Sequence, residues 1–254
     1  MAREEKCRNV KAAGKPESIC TYLDWDSEFF ARRIARANPK RLDQAALNEL
    51  LRWCAANRIE CLYLLADSDD PETAHLAETN QFLLADVRMT FERTIGEISL
   101  VPTSVVVRLA REEDLGALRA IAQRGHRDTR FYFDRHFDRA KCDLFYETWI
   151  ENSFRGFAHV VLVAEVDRKP VAYITGHLRG NEAQIGLMGV SEGHQGIGLG
   201  SILVQHFLAW AAKEGAERAT VITQGRNVRA QRLYQRQGFV TASCQLLYHR
   251  WFTD

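Results

Sequence analysis

The most constraining feature of this 254-residue chain is the run His194-Gln195-Gly196-Ile197-Gly198-Leu199-Gly200-Ser201, with three glycines at alternate positions. It follows a strand-like segment (Ala183 to Ser191) and precedes a helical one (Gly198 to Glu214). Glycine lets backbone N–H groups approach a ligand with no Cβ in the way, and a helix N-terminus adds unpaired donors and the positive end of a dipole. Together they suit a pyrophosphate. A tight turn that merely needs glycine is the plainer alternative. A Walker loop is excluded because no Gly-Lys-Ser/Thr is present, and the dinucleotide fingerprint fails because the glycines fall at 196, 198 and 200. Glu217, about 20 residues on, begins its strand instead of ending it and is badly placed for a ribose.

Around this loop the pattern alternates. Strands are expected at Ser18–Leu23, Arg58–Leu65, Phe82–Arg93, Val105–Leu109, Phe157–Val166, Pro170–Arg179, Ala183–Ser191, Glu217–Thr223 and Phe239–Phe252. Helices are expected at Asp24–Asn38 (starting near Ser27), Asp43–Asn57, Asp70–Asn80, Arg111–Arg124, Lys141–Phe154, Gly198–Glu214 and Asn227–Gln237. The order predicts an α/β fold with mixed strand directions. Gly96, Pro102 and the Thr/Ser residues near them mark a linker, dividing the chain into residues 1–95, a linker at 96–104 and residues 105–254. A constant offset of 157 with no gap aligns Leu51 with Leu208, Trp53 with Trp210, Ala55 with Ala212, Glu60 with Glu217, Leu76 with Leu233 and Phe82 with Phe239. Element order and lengths coincide at that offset, as an internal repeat would require.

Composition limits the partners. The 34 Lys plus Arg nearly cancel 33 Asp plus Glu, so no bulk charge attracts nucleic acid or an anionic membrane, and any anionic ligand has to be held locally. The six cysteines include no C-x-x-C pair, which argues against a zinc ribbon or a disulfide framework. No histidine or cysteine spacing suggests a metal site. The charged start lacks the apolar core of a signal peptide and no apolar run approaches a membrane span, so the expectation is a soluble, cytoplasmic protein.

With Gln195, Gly198 and Gly200 filling a Q/R-x-x-G-x-G/A loop, the chain resembles the GCN5-related N-acetyltransferase (GNAT) superfamily. Asn227, Ala230, Leu233, Tyr234, Gly238 and Phe239 match its N-x-x-A-x-x-L-Y-x-x-x-G-F segment, in register with the first motif. The resemblance covers about Val105 to Phe252. It implies a GNAT fold with a mixed, mostly antiparallel central sheet, preceded here by a smaller α/β domain that reads as a degenerate half-copy. It also implies acetyl-CoA as cosubstrate, with no metal. The residues expected at the coenzyme are Met188, Gly189 and Val190 on a strand that splays from its neighbour, Gln195 to Ser201 in the loop (Gln195, Gly196, Ile197, Gly198, Leu199, Gly200, Ser201), and Asn227. Asn227 equally suits a helix cap. Tyr234 is implied as the general acid for the leaving thiolate.

Three further segments resemble the bacterial TDP-fucosamine N-acetyltransferases: Trp25-Asp26-Ser27-Glu28-Phe29-Phe30, Thr129-Arg130-Phe131, and Phe145-Tyr146 through Trp149-Ile150-Glu151-Asn152 to Arg155-Gly156. Leu233 departs from that family's pattern, where Arg is expected. The resemblance implies a nucleotide-linked amino sugar as acceptor, with Arg130, Phe131 and Tyr132 as substrate-binding residues. The arginines at 124, 127, 130, 135 and 139 fit either a solvated face or a diphosphate site. The base that deprotonates the amine stays open among His126, His136, His159, His177, His194, Glu182, Glu192 and a water chain. Alternative activities are protein, peptide or small-amine N-acetylation, or coenzyme binding without turnover. A homodimer is compatible with either.

Overall fold

The computed structural model describes residues 18–98, 100 and 102–252. The start of the chain with Cys7, and Ser99 and Val101 of the expected linker, lie outside the described residues. The elements run β1 (Cys20–Tyr22), α1 (Asp24–Phe30), β2 (Ile34–Ala37), α2 (Gln44–Ala56), β3 (Cys61–Asp67), α3 (Pro71–Thr79), β4 (Leu83–Thr94), β5 (Val106–Leu109) and α4 (Leu115–Gly125). They continue α5 (Arg130–Phe133), α6 (Arg139–Asn152), β6 (Val160–Val166), β7 (Lys169–Arg179), β8 (Glu182–Val190), α7 (Leu199–Lys213), β9 (Arg218–Gln224), α8 (Val228–Arg236) and β10 (Val240–Trp251).

One expectation fails locally. The helix predicted over Asp24–Asn38 stops at Phe30, and residues 34–37 form a strand. Ala31 takes a left-handed conformation (φ 52°), and the Ser27 hydroxyl accepts the Ile34 N–H at 3.0 Å, turning the chain. Ile34, Ala35 and Ala37 are then buried against the neighbouring strand. Burial in a sheet outweighs the helical spacing of a short segment. Aspartates cap two of the later helices. Asp43 accepts the Ala46 N–H at 2.8 Å at the start of α2, and Asp138 accepts that of Lys141 at 3.0 Å at the start of α6.

All ten strands form one sheet in the order β1-β2-β3-β10-β4-β9-β8-β7-β6-β5. Only the β2–β3 and β8–β9 pairs are parallel. Residues 96–104 therefore divide the chain but not the sheet, because β4 lies between β9 and β10. The offset of 157 carries Cys61–Asp67 onto Arg218–Gln224, Pro71–Thr79 onto Val228–Arg236, and Leu83–Thr94 onto Val240–Trp251, strand for strand and helix for helix. The ladders obey the same operation. Gln245↔Asp67 becomes Arg88↔Gln224, and Val240↔Glu92 becomes Leu83↔His249, while Arg88↔Gln245 maps onto itself. A pseudo-twofold axis thus passes between Arg88 and Gln245, and each half places its last strand beside the other half's next-to-last strand.

The two faces follow from alternation along the strands. In β3, Leu62 and Leu64 pack under α2 and α3, while Cys61 and Tyr63 face α1, α5 and α6. We call the latter the front. On the back, α7 and Tyr234 of α8 close the core over β6 to β9, with Phe91 of β4 and Phe239.

Candidate active site

β8 and β9 run parallel and pair only from Glu182 to Ile185 with Arg218 to Val221. β8 continues to Val190 and β9 to Gln224, so their C-terminal ends separate into a gap whose β8 side is formed by Met188, Gly189 and Val190. β7 holds the far side of β8 in place, with Tyr173 opposite Gly189 and Ile174 opposite Met188. The register slips just before this, where Gly186 and Leu187 lie opposite Thr175. The bulge therefore sits there and not at Gly189. Gly189 meets a different demand: a Cβ on it would come within 2.7 Å of the Tyr173 ring and 2.9 Å of Ile121.

The glycine loop leads from this gap into α7. Gly198 is the residue before the first helical turn, with φ 92°, a conformation that a Cβ disfavours, and the space above its Cα is open. The unpaired N–H groups of the first turn of α7 lie next to it. Gln195 reaches back to the Val190 carbonyl at 3.1 Å and is held by the Arg229 guanidinium at 2.5 Å, which ties the loop to both β8 and α8. Asn227 caps α8 through the Ala230 N–H at 3.0 Å. That helix presents Tyr234, 5% exposed, between the Phe91 and Phe239 rings. Burial pushes the Tyr234 hydroxyl well above its ordinary pKa, so it keeps its proton, and it forms no hydrogen bond with another group among the described residues.

The first half carries the same frame without these parts. Lys40 and Arg41 replace Ile197 and Gly198. The Lys40 carbonyl accepts the Asp67 N–H, Arg41 binds Asp67 at 3.4 Å and Asp69 at 2.7 Å, and the Leu42 N–H bonds the Thr73 hydroxyl at 2.6 Å. The corresponding loop is sealed against the end of β3, and buried Ala77 stands where α8 has Tyr234.

On the front, the three segments that carry the closer resemblance come together. The rings of Phe30, Phe131 and Phe145 lie within 4.7 to 5.4 Å of one another, and Trp25 packs on Phe145 at 4.7 Å. At 4% exposure the Phe131 ring belongs to the core that joins the two halves. Arg130 lies over the rings of Tyr63 (4.6 Å) and Phe131 (4.5 Å), 3.9 Å from Asp26. Burial raises the Asp26 pKa, and Arg130 opposes that rise. Tyr132 is half-buried, with its hydroxyl donating to Asp143. Beside it lies a cleft of about 510 Å³ lined by Arg127, Tyr132, Phe133, Arg139, Asp143 and Arg226.

Sequence reasoning missed several polar residues at this front. Arg88 lies opposite Gln224, at the open end of β9, and desolvation together with nearby Arg130 and Arg36 lowers its pKa. Buried Asp86 is 3.5 Å from Arg226, and burial raises its carboxyl. Both sit on a strand where polar residues read as the solvent side. Asp134 accepts from His249 Nδ1 at 2.7 Å, Trp251 Nε1 at 2.9 Å and the His136 backbone at 3.0 Å, pinning the end of α5 to β10. Of the histidines considered as bases, His126 shares Nε2 with Tyr173 Oη at 2.8 Å, and burial lowers its pKa to about 4. His136 is tied to Asp134, and His194 to Ser191. Among the described residues no group of three or more metal-ligating side chains gathers, and no helix is long and apolar enough to cross a membrane.

Comparison with known proteins agrees with this geometry. Residues 118–239 match the model of the acetyltransferase (GNAT) family. The spore coat polysaccharide biosynthesis protein SpsD of Bacillus subtilis (strain 168) is 29% identical over 138 residues. That alignment covers 54% of this chain and 48% of SpsD, so the chain spans about half the length of the curated relative it matches. Among solved structures, a GCN5-related N-acetyltransferase from Sphaerobacter thermophilus superposes with a TM-score of 0.67 at 13% identity, covering 92% of this chain and 76% of that one. A tandem GNAT protein from the clavulanic acid biosynthesis pathway gives 0.59 at 14% identity, over 87% and 76%. The latter two likenesses concern the fold, and both extend across the two halves. The segment from residue 118 to residue 239, with its opened strand pair and glycine-capped helix, belongs to the GNAT acetyltransferase family.

Proposed function

We propose that the protein moves an acetyl group from acetyl-CoA to a primary amine, the amino group of a sugar carried on a nucleoside diphosphate. The observation that carries the transfer is the gap between β8 and β9, which opens beside the glycine-capped start of α7. The residues fit the coenzyme. The loop from Gln195 to Ser201 offers N–H donors with no Cβ at Gly196, Gly198 or Gly200, and Met188 to Val190 offer a strand edge that β9 leaves unpaired. Acetyl-CoA supplies the activated acetyl group. Asn227 fixes the start of α8, and through it the position of Tyr234. The Tyr234 hydroxyl, kept protonated by burial, holds the proton that the departing thiolate needs.

The acceptor reading rests on the front of the molecule. Segments from both halves meet there around Arg130, Asp26 and Tyr132, and the relative SpsD is named for polysaccharide biosynthesis. Thiol release from acetyl-CoA is the test, measured with a TDP-linked amino sugar, the same sugar without its nucleotide, and simple primary amines. The sugar nucleotide is expected to give the highest kcat/KM. Equal kcat/KM for all three removes the sugar-nucleotide reading and leaves a general amine acetyltransferase. No thiol release with any amine removes the enzymatic reading.

A further inference from the structure

The geometry points to the cleft formed by Arg127, Tyr132, Phe133, Arg139, Asp143 and Arg226 as the site for the nucleoside diphosphate part of the acceptor. This rests on the acceptor reading above and assigns it a place, selecting Arg127 and Arg139 from the arginine-rich segment and adding Arg226. The cleft's volume, about 510 Å³, lies within the range of small-molecule sites. Its charge is one-sided. Three guanidiniums face one carboxylate, that of Asp143, which already accepts the Tyr132 hydroxyl. Among the described residues Arg127 and Arg139 form no ion pair, so their charges are free for a ligand. Arg226 is steadied on its inner side by the Ala85 carbonyl at 2.5 Å and by Asp86 at 3.5 Å. With Asp143 and Asp86 set against three guanidiniums, one positive charge remains in excess for the anionic diphosphate, and guanidinium forks suit its oxygens.

The cleft also has flat surfaces. Arg226 lies 4.3 Å over the Phe133 ring and Arg139 lies 5.5 Å over that of Tyr132. Phe133 is 51% exposed, so the ring has an open side on which a planar base can stack. A planar base on the open side of Phe133 would leave its phosphates among the arginines. The coenzyme loop has its own arginine. Arg229, three residues beyond Arg226, turns the other way to hold Gln195. Arg226 in the turn after β9 and Arg229 in the first turn of α8 thus send one guanidinium toward each of the two proposed anion sites, with the cap residue Asn227 between them in sequence.

Calorimetry on the full chain, with TDP, UDP, inorganic pyrophosphate, thymidine and CoA as separate probes, tests this assignment. TDP or UDP is expected to bind, pyrophosphate more weakly and thymidine more weakly still. An Arg127→Gln/Arg139→Gln double variant should weaken nucleoside diphosphate binding by about 10-fold or more. Phe133→Ala should weaken it by about fivefold or more without affecting pyrophosphate. CoA affinity should be unchanged in both variants, which also reports that they are folded. The assignment is overturned if neither variant alters nucleotide binding, if CoA displaces the nucleotide, if pyrophosphate binds as tightly as TDP, or if no nucleotide binds. Turnover separates this result from the acceptor reading. A sugar nucleotide acetylated with kcat/KM indifferent to both variants sinks the cleft and keeps the reading. Nucleotide binding lost in the variants, with no sugar nucleotide acetylated by the parent chain, keeps the cleft and sinks the reading.

Discussion

Two aromatic residues close in sequence terms to a motif have opposite fates here. Tyr234 and Phe131 are both buried, but only Tyr234 carries a polar side-chain atom, one with no hydrogen-bond partner among the described residues. Tyr234→Phe should lower kcat by about 100-fold to 10,000-fold, with little change in the acetyl-CoA dissociation constant. A fall below about threefold when chemistry limits the rate would give the proton to another group. Phe131→Ala should instead act on folding, lowering stability by about 3 to 5 kcal/mol by thermal or denaturant unfolding, since its ring packs against Phe30, Phe137 and Phe145. A loss confined to acceptor KM, with stability unchanged, would return Phe131 to the substrate site. The glycine turn into α7 and the Asn227 cap of α8 were legible in the sequence, because such turns and caps are dictated over a few neighbouring residues. The acceptor side was legible only as a composition of arginines and rings. Which ring faces solvent depends on Phe30 and Phe145, more than 100 and about 15 residues away, so Phe131 and Phe133 could not be told apart.

At the scale of elements, the short helix α5 is held to β10 by a single buried carboxylate. The His249 side chain is fully buried, with Nδ1 bonded to Asp134 and Nε2 unpartnered. Burial lowers the His249 pKa to about 4, while its hydrogen bonds with His249, Trp251 and His136 hold Asp134 below the usual carboxylate range. Both shifts act in one direction. Above about pH 6.5 His249 is neutral folded or unfolded; below that the unfolded chain takes the proton first, and the stability is lost progressively toward pH 4, with Asp134 adding its own loss at lower pH. The midpoint of thermal unfolding should therefore fall between pH 6.5 and 4, and His249→Gln should flatten that fall. An identical slope in the variant would show that other groups govern the acid response. None of this was visible in the sequence, where Asp134 and His249 lie 115 positions apart.

For the whole molecule, the shared sheet governs what can be removed. Residues 105–254 made alone would lack β3 and β4, leaving one edge of β9 and both edges of β10 bare. Such a fragment should be insoluble or should unfold without cooperativity, whereas the full chain cut between 96 and 104 should still elute as one species. A soluble, cooperatively folding fragment would contradict the interlocked arrangement. The repeat was readable as a constant offset, because three consecutive elements kept their lengths. The exchange of strands was not, since β4 and β10 carry the same pattern and either would satisfy β3 or β9. The crossing has a further consequence, in time. As the chain leaves the ribosome, β3 and β4 are complete long before β10 exists to stand between them, roughly 150 residues later. The first half has to wait with both of those strands short of a neighbour, so the centre of the sheet closes last and from the far end of the chain. Folding of this kind is governed by distant contacts and is slow, which makes the cell's chaperones, and the pace of translation through the second half, a determinant of how much protein survives to become active.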